Sequence, residues 1–296
     1  MKAISTIAAL LFLLGACTQK NKTQETMEAP RLEVKNGAMP INYNQCGDGD
    51  VALLFVHGWG INQSYWDGQV DYFCKNYTVV TMDVPGFGQT AKTRDQWTIE
   101  NYGQDVGAVI DQLGLDQVIL VGHSMGGDIV LEAALNNPEK VIGIIGIDNF
   151  KSPAFEKSEE MENFLSDFVQ SLRENYREVV GDFGRKYLFH PNTDSLIIER
   201  VVGDFQNSDP DVAIGSIESL FNYPEASKLQ KLDIKLHLIN CVFTPIMEEN
   251  LQATGVAYEI VNMEETGHYP MLEKPDEFNQ QLAATIQKIL AGRAHP

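Results

Sequence analysis

Basic residues are scarce in this chain. Lysine and arginine number 22 against 41 aspartates and glutamates, a formal net charge of −19 over 296 residues. A surface of that sign repels phosphate backbones and anionic lipid, which excludes nucleic acid as the main partner. Cysteine is scarcer still, at four. No Cys/His spacing suits zinc and no glycine-rich loop suits a dinucleotide, so no cofactor and no metal are expected. Long apolar runs are missing as well. The run from Ala8 to Leu14 falls far short of the roughly 20 residues that a spanning helix needs. Internal repeats are absent too. What remains, 44% hydrophobic residues, is enough to bury the core of one large domain, or of one domain carrying an insertion.

Lys2 precedes that apolar run, which ends in Leu14-Gly15-Ala16-Cys17. The segment resembles a bacterial lipoprotein signal over residues 1–16, with a lipobox whose Cys17 is lipidated and becomes the mature N-terminus. An ordinary secretion signal or a membrane anchor is the alternative, but an ordinary signal has no need of cysteine at that place. The polar stretch that follows, Thr18 to Glu25, has no aromatic residue and cannot bury enough surface to fold. Residues 17–30 read as a flexible tether that would hold a folded body roughly 20 Å from the lipid. No aspartate directly follows Cys17, so the resemblance favours the outer over the inner membrane of a bacterial cell envelope.

From Arg31 onward, strand-like and helix-like segments alternate. Val51 to Val56, Tyr77 to Met82, Gln117 to Val121 and Val141 to Ile147 are short apolar runs rich in β-branched residues, suited to strands buried on both faces of a parallel sheet. Between them lie helical patterns. Thr98 is placed as an N-cap, Val106, Val109, Ile110 and Leu113 recur at helical spacing, and Gly114 suits a C-terminal cap. The alternation predicts an α/β domain with helices on both faces of the sheet.

One motif carries chemistry. Gly122-His123-Ser124-Met125-Gly126-Gly127 follows a predicted strand and opens a predicted helix, the setting in which Gly-x-Ser-x-Gly is a nucleophile elbow. Side chains at Gly122 or Gly126 are expected to collide with the neighbouring strand or helix. Three further landmarks follow the same order as in the α/β-hydrolase family: His57-Gly58-Trp59-Gly60, Met82-Asp83-Val84-Pro85-Gly86-Phe87-Gly88, and Gly267-His268-Tyr269-Pro270 near the C-terminus. From residue 40 onward the chain resembles that family over nearly all its length.

The resemblance implies a mostly parallel eight-stranded sheet flanked by helices, with the core in residues 31–150 and 233–296 and a helical cap in 151–232. It also assigns roles. Ser124 is the nucleophile, His268 the base that takes its proton, and the backbone N–H groups of Trp59 and Met125 hold the oxyanion. These two would act through the main chain, so their side chains should matter less than that of Ser124. His57 and His123 lie inside glycine motifs, where the family uses them structurally.

The third member departs from the family pattern. The usual acid follows the strand after the cap, but Leu238-Ile239-Asn240-Cys241-Val242-Phe243-Thr244-Pro245 puts Thr244 at that place, and threonine cannot stabilise an imidazolium as a carboxylate can. Asp148, at the end of the preceding strand, is the relocated candidate. Glu248 or Glu249 in the later loop, or no functional acid, are the other readings, and a cap or turn role is the bland one for Asp148.

In residues 151–232, apolar residues from Met161 to Phe183 recur at helical intervals and predict one long amphipathic helix with more helical material behind it. Phe150, Phe164, Phe168, Phe183, Tyr187, Phe189, Phe205, Phe221 and Tyr223 either line an apolar pocket under the cap or pack its helices together. Cys46 and Cys74 both fall towards the end of the sheet away from the elbow. In an exported protein they suit a disulfide, with two buried thiols as the alternative, while Cys241 reads as a small core residue. The expectation is a lipid-anchored serine hydrolase cleaving a small apolar carboxylic ester through an acyl-serine intermediate. Carbon–carbon bond hydrolases, thioesterases and perhydrolases share the constellation. A non-catalytic lipoprotein that binds a small ligand follows if the acid is missing.

Overall fold

The computed structural model describes residues 32–153 and 157–293. The lipobox, Cys17 and the tether lie outside them. The apolar runs become central strands: β3 (Ala52–Val56), β5 (Val118–His123), β6 (Val141–Ile147) and β7 (Leu236–Cys241) are buried at every position. Such strands need cover on both faces, and helices supply it. β4 (Thr78–Met82) is nearly as buried, whereas β8 (Tyr258–Met263) forms a half-exposed edge. At the other edge stands a hairpin, β1 (Leu32–Asn36) and β2 (Met39–Cys46), turning through Gly37 at φ +60°.

The strand order is β1-β2-β4-β3-β5-β6-β7-β8, antiparallel in the pairs β1/β2 and β2/β4 and parallel elsewhere. Both β4 and β5 neighbour β3, so the chain leaves β3 towards one side of the sheet and leaves β5 towards the other. Loops that diverge in this way open a crevice at the carboxyl ends of the strands. The His57–Gly60 loop and the Ser124 turn both border it.

Helices α1 (Asp67–Phe73), α2 (Ile99–Gln112), α3 (Met125–Asn136) and α10 (Pro275–Arg293) flank the sheet, with α2 against α3 and α1 against α10. The Thr98 hydroxyl accepts from the Asn101 N–H at 3.2 Å, and Gly114 takes φ +62° just past the helix, as the pattern of residues predicts.

Four helices lie between β6 and β7: α4 (Glu159–Tyr187), α5 (Ser195–Asn207), α6 (Pro210–Asn222) and α7 (Glu225–Leu229). The expected single long helix is broken. Asn175 leaves helical geometry at φ −147°, ψ 67°, and its side-chain amide donates to the Glu178 carboxylate. The helix bends at this residue, one of the types that are neutral to unfavourable in a helix interior. Several cap aromatics pack on one another or on the core: Phe168 meets Phe183 within α4 and Phe221 of α6, Phe205 meets Trp59, and Phe189 meets Tyr269. Phe164 is exposed and packs in neither expected place.

Cys46, ending β2, and Cys74, following α1, form a disulfide with Cα atoms 5.6 Å apart. Cys241 is buried and free.

Candidate active site

β5 ends at His123 and α3 begins at Met125, so the whole turn falls on Ser124. It takes φ +52° and ψ −125°, a region that costs a non-glycine residue about 1–3 kcal/mol. Its surroundings hold it there. The Ser124 N–H donates to the Ile147 carbonyl at 3.0 Å, and the Ser124 carbonyl accepts from the Gly127 N–H and from Asn149 Nδ2, each at 2.7 Å. The expected crowding is present: a Cβ at Gly122 would lie 2.2 Å from the Gly126 carbonyl oxygen, and one at Gly126 2.5 Å from that of Val56. The serine therefore stands at the amino end of α3, where developing negative charge is favoured.

Asp148 follows β6 at φ +48° and is 4% exposed. Its Oδ2 lies 2.5 Å from His268 Nδ1. Its Oδ1 accepts from the Cys241 N–H at 2.9 Å and lies 2.6 Å from Lys151 Nζ. Burial alone would push this carboxyl up, but the bond to His268 and the charges of His268 and Lys151 outweigh it and hold the group well below the carboxylate range. Glu248 and Glu249 sit exposed at the start of α8 (Glu248–Ala253), with Glu248 accepting from the Tyr258 hydroxyl at 3.3 Å. Of the candidate acids, Asp148 is the one placed against His268. Thr244, at the usual acid place, is exposed and bonded to Lys151 instead.

The loop bearing His268 is clamped on three sides. Its N–H donates to the Leu188 carbonyl of the cap at 2.8 Å. Glu273, ending α9 (Pro270–Glu273), accepts from the N–H groups on either side, Gly267 at 2.9 Å and Tyr269 at 3.1 Å. His123 Nε2 donates to the His268 carbonyl at 2.8 Å, with the two rings 4.7 Å apart. Burial and the neighbouring His268 push His123 down to about 3, so it stays neutral. His57 is neutral for the same reason of burial; its Nδ1–H donates to the Gly58 carbonyl at 2.8 Å and its Nε2 accepts from the Val84 N–H at 2.9 Å. Both therefore serve as structural hydrogen-bonding rings.

Among the described residues, neither the Trp59 nor the Met125 N–H has an acceptor within the protein. Two unspent donors bordering the crevice can receive an oxyanion. The Trp59 side chain does more than its backbone role required: its indole Nε1–H donates to the Ala213 carbonyl of α6 at 2.8 Å and ties this loop to the cap.

A cavity of about 330 Å³ opens at Ser124 and Met125, bounded by Leu165, Leu220, Phe221 and Tyr223 of the cap. Two of the nine cap aromatics thus face it. On its polar side lie Asp128 and Glu225. Asp128 is 3% exposed, accepts from Asn149 Nδ2 at 3.3 Å, and faces the Glu225 carboxyl. Burial pushes Asp128 up to about 6, and burial together with the charge of Asp128 pushes Glu225 up. Among the described residues, no three His, Cys, Asp or Glu side chains are grouped as a metal would require.

Sequence reasoning missed Lys151, Asn149, Asn240, Glu273 and the Asp128–Glu225 pair. Asn240 left a usable signal, being an amide within the apolar strand β7. A buried amide must find partners, and this one exchanges hydrogen bonds with the Asn149 backbone at 3.2 and 2.8 Å, fixing the turn after Asp148.

A family model described as alpha/beta hydrolase fold matches residues 51–189. The pimeloyl-[acyl-carrier protein] methyl ester esterase of Yersinia enterocolitica is 25% identical over 259 residues, covering 83% of this chain and 97% of that one. The karrikin insensitive 2 receptor CA of Petunia hybrida is 24% identical over 252 residues, covering 79% and 91%. Among solved structures, a thermophilic esterase from Thermogutta terrifontis superposes with a TM-score of 0.76 at 20% identity, covering 88% of this chain and 99% of that one. Sheet order, elbow and these likenesses together make the chain an enzyme of the α/β-hydrolase fold.

Proposed function

We propose that the chain is a serine hydrolase that cleaves a carboxylic ester through an acyl-serine intermediate. The observation that carries this reading is the 2.5 Å contact between Asp148 and His268 beside the strained Ser124 turn. Ser124 Oγ attacks the ester carbonyl carbon while its proton passes to His268. The Trp59 and Met125 N–H groups stabilise the oxyanion, and Asp148 orients His268 and stabilises the imidazolium. Collapse breaks the bond to the alkoxy oxygen, which leaves with the proton held by His268. Water then adds to the acyl-serine by the same steps, releasing the carboxylic acid and restoring the serine. The two esterases among the similar proteins support ester hydrolysis, and the apolar wall of Leu165, Leu220 and Phe221 suits a small apolar acyl group.

Labelling with a fluorophosphonate probe tests the reading. The wild-type chain is expected to label and Ser124→Ala not to; an unlabelled wild type would leave a ligand-binding protein in its place. A panel of thioesters, carbon–carbon substrates and peracid formation separates the related chemistries. The lipid anchor belongs to the same proposal and rests on Leu14-Gly15-Ala16-Cys17. Radiolabelled palmitate is expected on the wild type and not on Cys17→Ala, with the product in the outer membrane fraction; a soluble, unlabelled wild type would refute it.

A further inference from the structure

Each oxygen of the Asp148 carboxylate has its own task. Oδ2 serves His268, while Oδ1 meets the Cys241 N–H and the ammonium of Lys151. Lys151 is anchored beyond that contact. Its Nζ donates to the Thr244 carbonyl at 2.7 Å and to the Thr244 hydroxyl, and lies 3.4 Å from Cys241 Sγ. The side chain is 19% exposed, and its ammonium faces Asp148 Oδ1. The loop that carries it is forced into place by Asp148 and Phe150, both at positive φ, +48° and +52°.

We propose that Lys151 is a positioning residue of the hydrolase: it pins Asp148 so that one oxygen alone faces His268, and its charge sets the pH at which the site becomes active. The proposal rests on the serine hydrolase reading above. A carboxylate next to an imidazole favours the protonated ring, and a cation on the far side of that carboxylate offsets the effect. The other titratable groups facing this centre do not compensate: Glu273, bonded to the N–H groups on either side of His268, is an acid and supplies no positive charge. His123 is held neutral, and the Cys241 thiol and the Tyr269 phenol are kept protonated chiefly by burial. Lys151 is therefore the cation that balances Asp148 before His268 takes up a proton. Without it, the lone carboxylate would hold the imidazolium to higher pH and the base would be free over a narrower range.

The test is the second-order rate of fluorophosphonate inactivation of the full chain as a function of pH, for wild type, Lys151→Met, Lys151→Gln and Lys151→Arg. Lys151→Met is expected to move the acidic limb upward by about one pH unit and to lower the plateau roughly tenfold. Lys151→Gln keeps donors for Thr244 but not the charge, so it covers the case in which the methionine variant fails to fold, and the same upward shift is expected. Lys151→Arg should restore the wild-type limb. A folded Met or Gln variant whose limb coincides with that of wild type would overturn the proposal and leave the hydrolase reading standing. A wild type that does not label overturns both.

Discussion

Asp148 and Asp128 are buried to almost the same degree, 4% and 3% exposed, and both border the cavity that holds Ser124. Their neighbours differ in sign. Asp148 meets an ammonium, an imidazole and a backbone N–H, and is held ionised far below the usual range. Asp128 meets one amide and a second carboxyl, and burial pushes it up to about 6. Burial is thus no guide to the charge a carboxyl carries; the partner decides. The site holds one carboxyl lowered by its hydrogen bond to His268 and by the charges of His268 and Lys151, and a pair of carboxyls raised by burial and, for Glu225, by the like charge of Asp128.

Breaking the charged member should have the largest effect. Asp148→Asn is expected to lower kcat/KM for a short p-nitrophenyl ester by about 10³–10⁴-fold, while Asp128→Asn stays within roughly tenfold, because its carboxyl does not touch His268. If Asp148→Asn kept near-normal turnover and Glu248→Gln or Glu249→Gln lost it, the acid would have been assigned to the wrong strand end.

The two carboxyls should also respond to pH with opposite signs. Asp148 is held below its unfolded value, so its contribution to stability is present above about pH 4 and fades as the pH falls below that. Removing it strands Lys151 beside no counter-charge. Asp148→Asn is expected to cost about 3 kcal/mol at pH 7, with the gap to wild type narrowing as urea unfolding is followed below pH 4. A gap that widens with acid would contradict the depressed value.

For Asp128 and Glu225 the sign reverses. Each is raised above its unfolded value, so the bound proton stabilises the fold fully below about pH 4; the Asp128 contribution is lost as the pH rises through about 6, and that of Glu225 is lost as the pH rises through its own raised value. Glu225→Gln removes the like charge. It is expected to gain about 1–2 kcal/mol over wild type at pH 8 and little at pH 5. Equal shifts in the urea midpoint at both values would show that the pair shares no proton.

Much of this arrangement is legible in the order of residues. Apolar runs without polar interruption imply a covered parallel sheet, and Gly-His-Ser-Met-Gly between a strand and a helix implies the elbow, because close backbone packing leaves no room for a Cβ there. Other parts leave no periodic trace. The hairpin of β1 and β2 mixes polar and apolar residues, as an edge strand can, and so hides among loop-like sequence. The bend at Asn175 interrupts a pattern whose apolar residues continue in register on both sides. Lys151 is an isolated lysine in a loop, and its meaning depends on Thr244, which lies 93 residues away.

Local rules suffice for the proposed nucleophile, since the residues that strain and surround Ser124 include its immediate neighbours in the chain. They also suffice to name a histidine and two donor loops as its companions. The choice of acid is different. Asp148, Glu248 and Glu249 are equally suitable as residue types, and what separates them is distance and partner charge, both set by long-range contacts. Only the packed sheet brings the end of β6 against the His268 loop, and only the turn from Asp148 to Lys151 against β7 sets an ammonium beside the other carboxylate oxygen.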